Sequence, residues 1–460
     1  MIFIYNYIKL ALWSTIYYYR KDNSEIIRKI IINTIKDSGC IAIKLSQWLL
    51  PKIETIYNIN PNDPNYEWFR ELEELYDNCN EHSIEYTYQI YNEDFQTSFK
   101  KDYEIDGLIA SGSIGQVYKA KSKIDNKYYA IKCLHPNLKN QITFFEIIIW
   151  ILYNCPILKN YVKYYLPIKL IDFIKDFRIQ INLINEANNC LKFNNFYKGN
   201  DKIIIPTLHK ISERIIIMSY EEGIKYEDPS IDEYTMNKIF ILMKLFIKNN
   251  EHILNFIHGD LHKGNWKVSI HNNDIKIIIY DFGFCWYVPE FLIDHLHGID
   301  NTFFKASDDT IDEFAYYSHI IVNKLCSKEE IKKEIEYIRN TLKLSYNNPY
   351  FLITLIMNTM RRNKKLIDSY VIQSIIVHNQ LYRSLKKYDI NESIVEEHDY
   401  KEIVSEYYKR RIVDIINYCD TYGIFQQYVT ILKAEYEENK HLVKESNLIN
   451  YDSLKNLAIS

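Results

Sequence analysis

The sequence predicts an α+β fold in which helices come first, short strands follow and helices then resume. Isoleucines recur at helical spacing over residues 24–56. From about Tyr103 the apolar residues form short strand-like runs between turns, and from Pro289 to the C-terminus the spacing is helical again. A chain of 460 residues is long enough for one large or two medium domains with a well-buried core.

Charge and cysteine content exclude some classes of function. The 56 basic and 60 acidic residues give a net charge of −4, and no basic block stands out, which argues against nucleic-acid binding. The eight cysteines are scattered without a C-x-x-C pair. This pattern favours reduced thiols in an intracellular protein over a disulfide framework or a zinc site. The excess of Ile, Asn, Lys and Tyr is typical of an AT-rich genome, such as that of a large DNA virus or a parasite.

The N-terminal stretch Met1–Tyr19 is apolar and aromatic, interrupted by Asn6 and Lys9. It has no small-residue cleavage site of the signal-peptide kind. We expect a first helix that packs on the body of the protein, and peripheral membrane contact through residues 1–22 is the alternative. No other stretch is apolar for long enough to span a bilayer.

A short polar stretch in the middle of the chain has the spacing of a catalytic loop. Asp260 is followed five residues later by Asn265, and sixteen residues further on comes Asp281-Phe282-Gly283. In such an arrangement the first Asp orients or deprotonates an attacking hydroxyl, while the Asn and the second Asp hold magnesium at nucleotide phosphates. Taken alone, D-F-G is common by chance, and a polar turn beside a buried strand explains it equally well.

Upstream residues favour the catalytic interpretation. Two strand patterns flank a loop of small residues, a type of loop that lays backbone N–H groups over phosphates. Fifteen residues after the loop, Lys132 ends the run Tyr129-Ala130-Ile131-Lys132 on the next predicted strand, where a lysine can reach the α- and β-phosphates. The predicted phosphate-binding loop comprises Ile109, Ala110, Ser111, Gly112, Ser113, Ile114, Gly115, Gln116 and Val117.

A carboxylate partner for Lys132 is available further along the chain. Glu186 lies in the predicted helix 173–196, where a kinase fold needs such a partner, although a solvent-facing glutamate is the local alternative. A hairpin of strands is predicted for Ile203–Leu208 and Arg214–Met218. Residues 219–223 are then expected to form the hinge beside the adenine of a nucleotide.

These five elements, in this order, resemble the UbiB/ADCK family of atypical protein kinase-like proteins, which is associated with ubiquinone biosynthesis. The resemblance runs from about Asp37 to Trp286. Its K-x-G-Q motif is similar to Lys44-Leu45-Ser46-Gln47, and its small-residue loop is similar to Ala110–Val117. Three further matches are Ala130–Pro136, Asn185–Ala187 and His258–Asn265.

The resemblance implies a bilobal protein-kinase-like fold. We expect an N-terminal helical extension over residues 1–100, an N-lobe over 101–223 and a mostly helical C-lobe over 224–460. It also implies ATP and Mg2+ as cofactors and a nucleotide as ligand. The implied roles are catalytic base for Asp260, magnesium ligands for Asn265 and Asp281, and phosphate contact for Lys132 paired with Glu186.

The sequence departs from the family pattern in a motif that regulates access to the nucleotide. In the family an E-x-D motif meets K-x-G-Q, but those two positions are Gln180 and Asn182 here. Lys44 would then lose its charged partners and keep only weaker hydrogen bonds to neutral amides. We hypothesise that the extension docks less tightly, or that Lys44 uses another acid such as Asp176.

Two other functions compete with a kinase or ATPase. A pseudokinase that binds nucleotide and acts as a scaffold or switch is the alternative. A metal-dependent hydrolase would use His258, His262, His295 and His297. It is disfavoured because no Glu follows His258 as in H-E-x-x-H. The phosphoryl acceptor is not encoded in these motifs, because acceptor choice depends on surface loops.

Overall fold

The computed structural model describes most of the first 373 residues, and the chain folds into two compact units. The described residues are 2–20, 25–56, 66–73, 79–165, 167–252, 254–262, 264–272, 274–289, 311–346, 351–369 and 371–373. The first unit is formed by residues 1–189, 207–220 and 360–372. The second unit contains residues 190–206, 221–359 and 373–460. The boundaries predicted from the sequence, near residues 100 and 223, stay predictions.

The first unit begins with four helices that pack on one another. They are α1 (Ile2–Arg20), α2 (Glu25–Asp37), α3 (Cys40–Ile56) and α4 (Tyr66–Glu73). The single helical stretch expected over 24–56 breaks at Gly39, whose φ of 95° is a left-handed conformation that glycine tolerates. Asn6 donates a 2.6 Å hydrogen bond to the Asp37 carbonyl, and the Trp68 indole N–H donates to the Tyr17 hydroxyl at 2.7 Å. Among the described residues, no helix combines the length and apolarity needed to cross a membrane.

An antiparallel five-stranded sheet forms the centre of the first unit. Its strands, in spatial order, are β1 (Tyr103–Ser111), β2 (Gly115–Ser122), β3 (Tyr128–Leu134), β6 (Ile215–Ser219) and β5 (Leu208–Ile211). Helices α5 (Ile84–Phe95) and α6 (Phe99–Asp102) precede it. Tyr91, Phe99 and Tyr103 pack with Ile131 and Ile217 in one apolar cluster. Because side chains alternate across a strand, one face of β3 contributes to this cluster and the other face remains for Lys132.

The predicted hairpin between Ile203–Leu208 and Arg214–Met218 is only partly correct. Leu208–Ile211 pairs antiparallel with β6, as a hairpin requires. Ile203-Ile204 (β4) instead pairs in parallel with β9 (Asp274–Ile279) of the second unit. Pro206 lies between β4 and β5, and its lack of an N–H explains why one continuous strand does not form.

Four more helices follow β3 in the chain. They are α7 (Leu138–Asn154), α8 (Pro156–Tyr165), α9 (Leu170–Gln180) and α10 (Leu183–Phe196). Residues 360–372 join the first unit near the start of α9, where Ile168 bridges Ile367 and Lys169 lies 2.6 Å from Asp368. Helix α10 contributes residues to both units, since the unit boundary falls after Asn189.

The second unit has two small sheets and several helices. Strands β4, β9 and β8 (Trp266–His271) form one sheet, and β7 (Phe256–His258) pairs antiparallel with β10 (Cys285–Tyr287) in the other. The helices described are α11 (Glu233–His252), α12 (Ile311–Ile321), α13 (Lys328–Tyr337) with a π-helical turn over Ile338–Leu342, and α14 (Phe351–Arg362), whose last three residues belong to the first unit. The helical pattern predicted beyond residue 373 lies outside the described residues.

Gly115 is the glycine on which close packing of β2 against β3 depends. A Cβ at Gly115 would lie 2.3 Å from the Cys133 carbonyl oxygen, which is backbone and cannot rotate away. We expect Gly115→Ala to lower the free energy of unfolding by about 1–3 kcal/mol, the usual cost of overpacking. Chemical denaturation followed by circular dichroism measures this.

Gly107→Ala in β1 is the matched control, because a Cβ there meets nothing within 4 Å. We expect it to leave the stability unchanged or to raise it slightly by restricting the unfolded chain. Equal destabilisation by the two substitutions would contradict the packing argument.

Candidate active site

The candidate residues of the first unit include a buried ion pair between Lys132 on β3 and Glu186 on α10. The Lys132 Nζ lies 2.8 Å from one Glu186 carboxylate oxygen and 3.0 Å from the other. The two side chains are 9% and 1% exposed, so the solvent-facing alternative for Glu186 is wrong. Charges are removed from water at a cost of several kcal/mol each, and the pair offsets this cost only because its geometry satisfies both carboxylate oxygens.

The loop between β1 and β2 is a tight turn that begins beside Lys132. Val117 pairs with Ala110 on one side and with Lys132 on the other, so the loop strands and the lysine strand are in register. At the tip, the Gly112 N–H donates to the Gly115 carbonyl at 3.0 Å. The structure therefore brings together in one unit the predicted phosphate-binding loop, the predicted phosphate-binding lysine and its carboxylate.

The N-terminal extension contacts this loop directly. The Ser113 hydroxyl donates a 2.9 Å hydrogen bond to Oε1 of Gln47, which lies on α3. Lys44, one turn earlier on α3, is half-buried. One residue assigned to regulation, Gln47, thus contacts one residue assigned to nucleotide binding, and the link between them is uncharged.

The two amides at the E-x-D positions have different local environments. Gln180 is buried at the C-terminal end of α9. Asn182 immediately precedes α10, and its side-chain oxygen accepts a 3.0 Å hydrogen bond from the Ile184 N–H. Asparagine caps a helix N-terminus about as well as aspartate does, so the loss of charge at position 182 does not remove the cap.

Asp176, the acid hypothesised as a partner for Lys44, lies in a buried cluster on α9. Burial raises its pKa to about 7, and the cation that most favours its charged form is Lys52. Lys52 lies on α3, two turns beyond Lys44, and donates to the Trp48 carbonyl at 2.9 Å. The structure therefore connects a lysine of α3 with Asp176 electrostatically, but that lysine is Lys52; a role for Lys44 there stays a hypothesis.

The candidate residues of the second unit begin with Asp260 and Asn265. The Asn265 side-chain amide donates to the Asp260 carbonyl at 2.7 Å, and its backbone N–H donates to the His262 carbonyl at 2.9 Å. The Tyr280 N–H donates to the Asn265 carbonyl at 2.8 Å, which connects the loop to the residue before Asp281. Since Nδ2 of Asn265 is used inside the loop, Oδ1 is the atom suited to a cation.

Asp281 is held in an uncommon backbone conformation. Its φ is 53°, in the left-handed region that costs a non-glycine residue about 1 kcal/mol or more and that is concentrated at functional sites. Its carboxylate accepts a 3.2 Å hydrogen bond from the Gly283 N–H. Phe282 is fully buried, with its ring centroid 5.2 Å from that of Phe193 and 5.4 Å from that of His258. Packing of Phe282 thus fixes the conformation of its neighbour.

His258 supports the loop through hydrogen bonds to the backbone. Its Nε2 donates to the Tyr280 carbonyl at 3.1 Å, because a carbonyl can only accept. Burial lowers its pKa, which keeps the ring neutral. His295 and His297 lie outside the described residues. Within the described part of the chain no three His, Cys, Asp or Glu side chains form a metal-binding group, which gives the hydrolase alternative no support.

Sequence reasoning missed a residue that holds the other side of this loop. The Gln373 side chain is buried and donates a 2.7 Å hydrogen bond to the Gly259 carbonyl. A Cβ on Gly259 would lie 1.8 Å from the Trp286 ring, so only glycine fits there. Gln373 is 114 residues from Gly259 in the sequence, and no local pattern indicates such a contact.

Because the pair is buried, removing one of its charges should lower the free energy of unfolding much more than removing both charges together. Glu186→Leu leaves Lys132 buried without its carboxylate, so we expect the free energy of unfolding to fall by about 3–5 kcal/mol. The double variant Lys132→Met with Glu186→Leu should be less destabilised, because no uncompensated charge remains. Urea denaturation of both variants measures the difference.

Glu213→Leu in the same unit is the control for that cycle. Its carboxylate lies 4.0 Å from Lys139, and both side chains are exposed. The free energy of unfolding should therefore stay within about 0.5 kcal/mol of the wild-type value. A double variant as unstable as Glu186→Leu would contradict the argument from buried charge.

The raised pKa of Asp176 predicts a pH-dependent contribution to stability. Between the ordinary value of 3.8 and about 7, the folded state keeps a proton that the unfolded state releases, so stability falls as pH rises through this range. Asp176→Asn mimics the protonated side chain. We therefore expect its Tm relative to wild type to increase from pH 5 to pH 7 and to level off above pH 7.

Thermal denaturation at several pH values checks this expectation. Burial also raises the pKa of Asp172, and its charge raises the pKa of Asp176, so the two carboxylates are coupled; the same comparison in an Asp172→Asn background isolates the contribution of Asp176. A Tm difference that does not change with pH would mean that Asp176 is ionised throughout.

The part of the chain that contains this site is similar to known proteins. Residues 74–313, just over half of the 460, match the family model of the ABC1 atypical kinase-like domain. A probable serine/threonine-protein kinase, abkC of Dictyostelium discoideum, is 27% identical over 54% of this chain and 36% of its own length. The ABC1 family protein MCP2 of Saccharomyces cerevisiae is 27% identical over 55% of this chain and 46% of its own.

A bacterial relative gives the same result. The probable protein kinase UbiB of Blochmanniella pennsylvanica is 29% identical over 41% of this chain and 36% of its own length. The chain thus spans less than half of each of these three relatives. The predicted resemblance to UbiB/ADCK proteins and the kinase-like α+β fold are confirmed, and the chain belongs to the family of ABC1 atypical kinase-like proteins.

Proposed function

We propose that this protein is an ATP- and Mg-dependent atypical kinase or ATPase. The observation that carries the proposal is the buried Lys132–Glu186 ion pair beside the glycine-containing loop. A purely structural core would be as stable with apolar residues in place of such a pair, so its presence supports a function for the lysine charge. In this proposal Lys132 donates to nucleotide phosphate oxygens, and Glu186 holds its ammonium group in place.

Asn265 and Asp281 have the donor atoms that magnesium requires. Mg2+ prefers amide and carboxylate oxygens and keeps several positions for water and phosphate. The amide of Asn265 is oriented by its hydrogen bond to Asp260, and Asp281 is oriented by its backbone conformation. A magnesium ion held by these two residues would neutralise charge that develops on the transferring phosphoryl group.

Asp260 is the residue we assign to proton transfer. Its backbone is fixed by Asn265 from one side, and the buried His258 and Gln373 hold the preceding residues. A carboxylate in this position would orient the attacking hydroxyl or water and accept its proton. Such a positioned base contributes typically about 10²–10⁴ in rate.

These roles predict distinct effects of two substitutions. Mg·ATP should raise the Tm of the wild-type protein by mass action, and it should raise that of Asp281→Asn much less, because the negative charge of the carboxylate at the metal is lost. Asp260→Asn should keep the Tm shift but lose about 10²–10⁴ of the ATP turnover. Thermal shift and phosphate release measure the two effects.

Asp312→Asn, an exposed aspartate on α12, is the control and should behave as wild type in both assays. No shift with Mg·ATP in the wild-type protein would contradict nucleotide binding. If Mg·ATP raises the Tm but the wild-type protein shows no ATP turnover that Asp260→Asn abolishes, the pseudokinase alternative is favoured.

A further inference from the structure

A chain of hydrogen bonds leads from helix α5 to the backbone of the phosphate-binding loop. Thr87 Oγ1 lies 2.9 Å from Nε2 of His82, and Nδ1 of His82 lies 2.8 Å from Nδ1 of His135. Nε2 of His135 lies 2.9 Å from the Gly112 carbonyl oxygen. The two imidazole rings are nearly perpendicular, at 86°. His135 lies within a segment that matches the family, but the motifs of that family give no role to this histidine pair.

The Gly112 carbonyl, at the end of this series of hydrogen bonds, determines which atom donates in each of them. The Gly112 carbonyl can only accept, so Nε2 of His135 carries a hydrogen. In a neutral ring Nδ1 of His135 must then accept, which makes Nδ1 of His82 the donor. Nε2 of His82 accepts in turn from the Thr87 hydroxyl. When both rings are neutral, only one pair of tautomers satisfies this geometry.

Burial favours the neutral state that this chain of hydrogen bonds requires. Burial and the neighbouring His135 lower the pKa of His82 to about 4. Burial also lowers the pKa of His135. Both rings are therefore neutral near pH 7.

Orientation of the Gly112 carbonyl determines where the next amide points. All peptide bonds in the described residues are trans, and in a trans peptide the C=O and the following N–H point in opposite directions. The Gly112 carbonyl is directed to His135, so the Ser113 N–H is directed away from it. In loops of this kind, backbone N–H groups are the ones that bind phosphate oxygens.

The segment that contains Cys79 and His82 and the segment that contains His135 also hold the backbone on both sides of Gly112. The His135 N–H donates to the Ile114 carbonyl and the Cys79 N–H donates to the Ser111 carbonyl, both at 2.8 Å. The Gln116 side chain accepts from the His82 N–H at 3.0 Å and donates to the His82 carbonyl at 2.9 Å. The loop is therefore shaped by residues outside its own hairpin.

We propose that His82 and His135 are positioning residues that orient the Ser113 N–H for the phosphates of a bound nucleotide. This inference rests on the proposed function, since it names how the same loop recognises phosphate. It predicts that the histidine pair affects the binding of phosphates and not the binding of the nucleoside. A residue that merely stabilised the fold would affect both ligands equally.

The test compares Mg·ATP with adenosine by isothermal titration calorimetry. His135→Phe removes both the donor to Gly112 and the acceptor for His82. We expect about tenfold or greater weakening of Mg·ATP binding, the usual effect of losing one hydrogen bond to a charged group, while the Kd for adenosine stays within about twofold. His135→Gln, whose amide has both a donor and an acceptor, should recover most of the affinity for Mg·ATP.

His82→Phe provides a second test if His135→Phe does not fold. It leaves the His135 ring in place but removes the N–H that fixes its tautomer, so a smaller loss of Mg·ATP affinity is expected. Unchanged Mg·ATP affinity, or equal weakening of both ligands, in a folded variant would overturn the inference. Failure of the wild-type protein to bind Mg·ATP would overturn the proposed function itself, and this inference with it.

Discussion

The ion pair between Lys132 and Glu186 is the interaction on which the candidate site depends. It joins β3 to α10 at a point where both side chains are buried. Moving the two elements apart would separate two buried charges, which is energetically costly. Seven residues after Glu186, on the same helix, Phe193 packs on Phe282, the residue next to Asp281. Helix α10 thus makes a buried contact with Lys132, the predicted phosphate-binding lysine, within the first unit and, separately, a contact with the neighbour of a predicted metal ligand within the second unit.

Local sequence patterns were sufficient for the elements whose structure depends on nearby residues. Within the predicted loop 109–117 only Gly112, Ser113 and Ile114 lie between strands, because the predicted loop includes the end of β1 and the start of β2. Spacing between neighbouring residues is a short-range property of the sequence, and it was enough to identify Lys132, Asp260 and Asn265 as candidate site residues. Their roles came from the family resemblance and stay proposals, because geometry alone does not establish chemistry.

Contacts between residues far apart in the sequence could not be predicted from local patterns. Alternation of apolar residues makes Ile203-Ile204 a strand candidate, but it does not say that β9, more than 70 residues later, is the partner. The same limit applies to Gln373, which supports Gly259, and to His82, which meets His135 53 residues away. Each of the latter two contacts involves a polar side chain whose local surroundings fit an exposed turn equally well, so only the folded arrangement distinguishes these interpretations.

Gln180 and Asn182 stand where the family has carboxylates, and the structure shows what surrounds Asn182. Asn182 is used as the cap of α10, a role in which an amide oxygen replaces a carboxylate at little cost. Contact between α3 and the loop is made by Gln47 and Ser113, a neutral hydrogen bond that contributes about 1 kcal/mol. The buried charge between α3 and α9 is instead supplied by Lys52 near Asp176, away from the loop. Helix α3 thus reaches the loop through a neutral hydrogen bond and reaches α9 through an electrostatic interaction, while His82 and His135 connect the loop to a separate segment by hydrogen bonds.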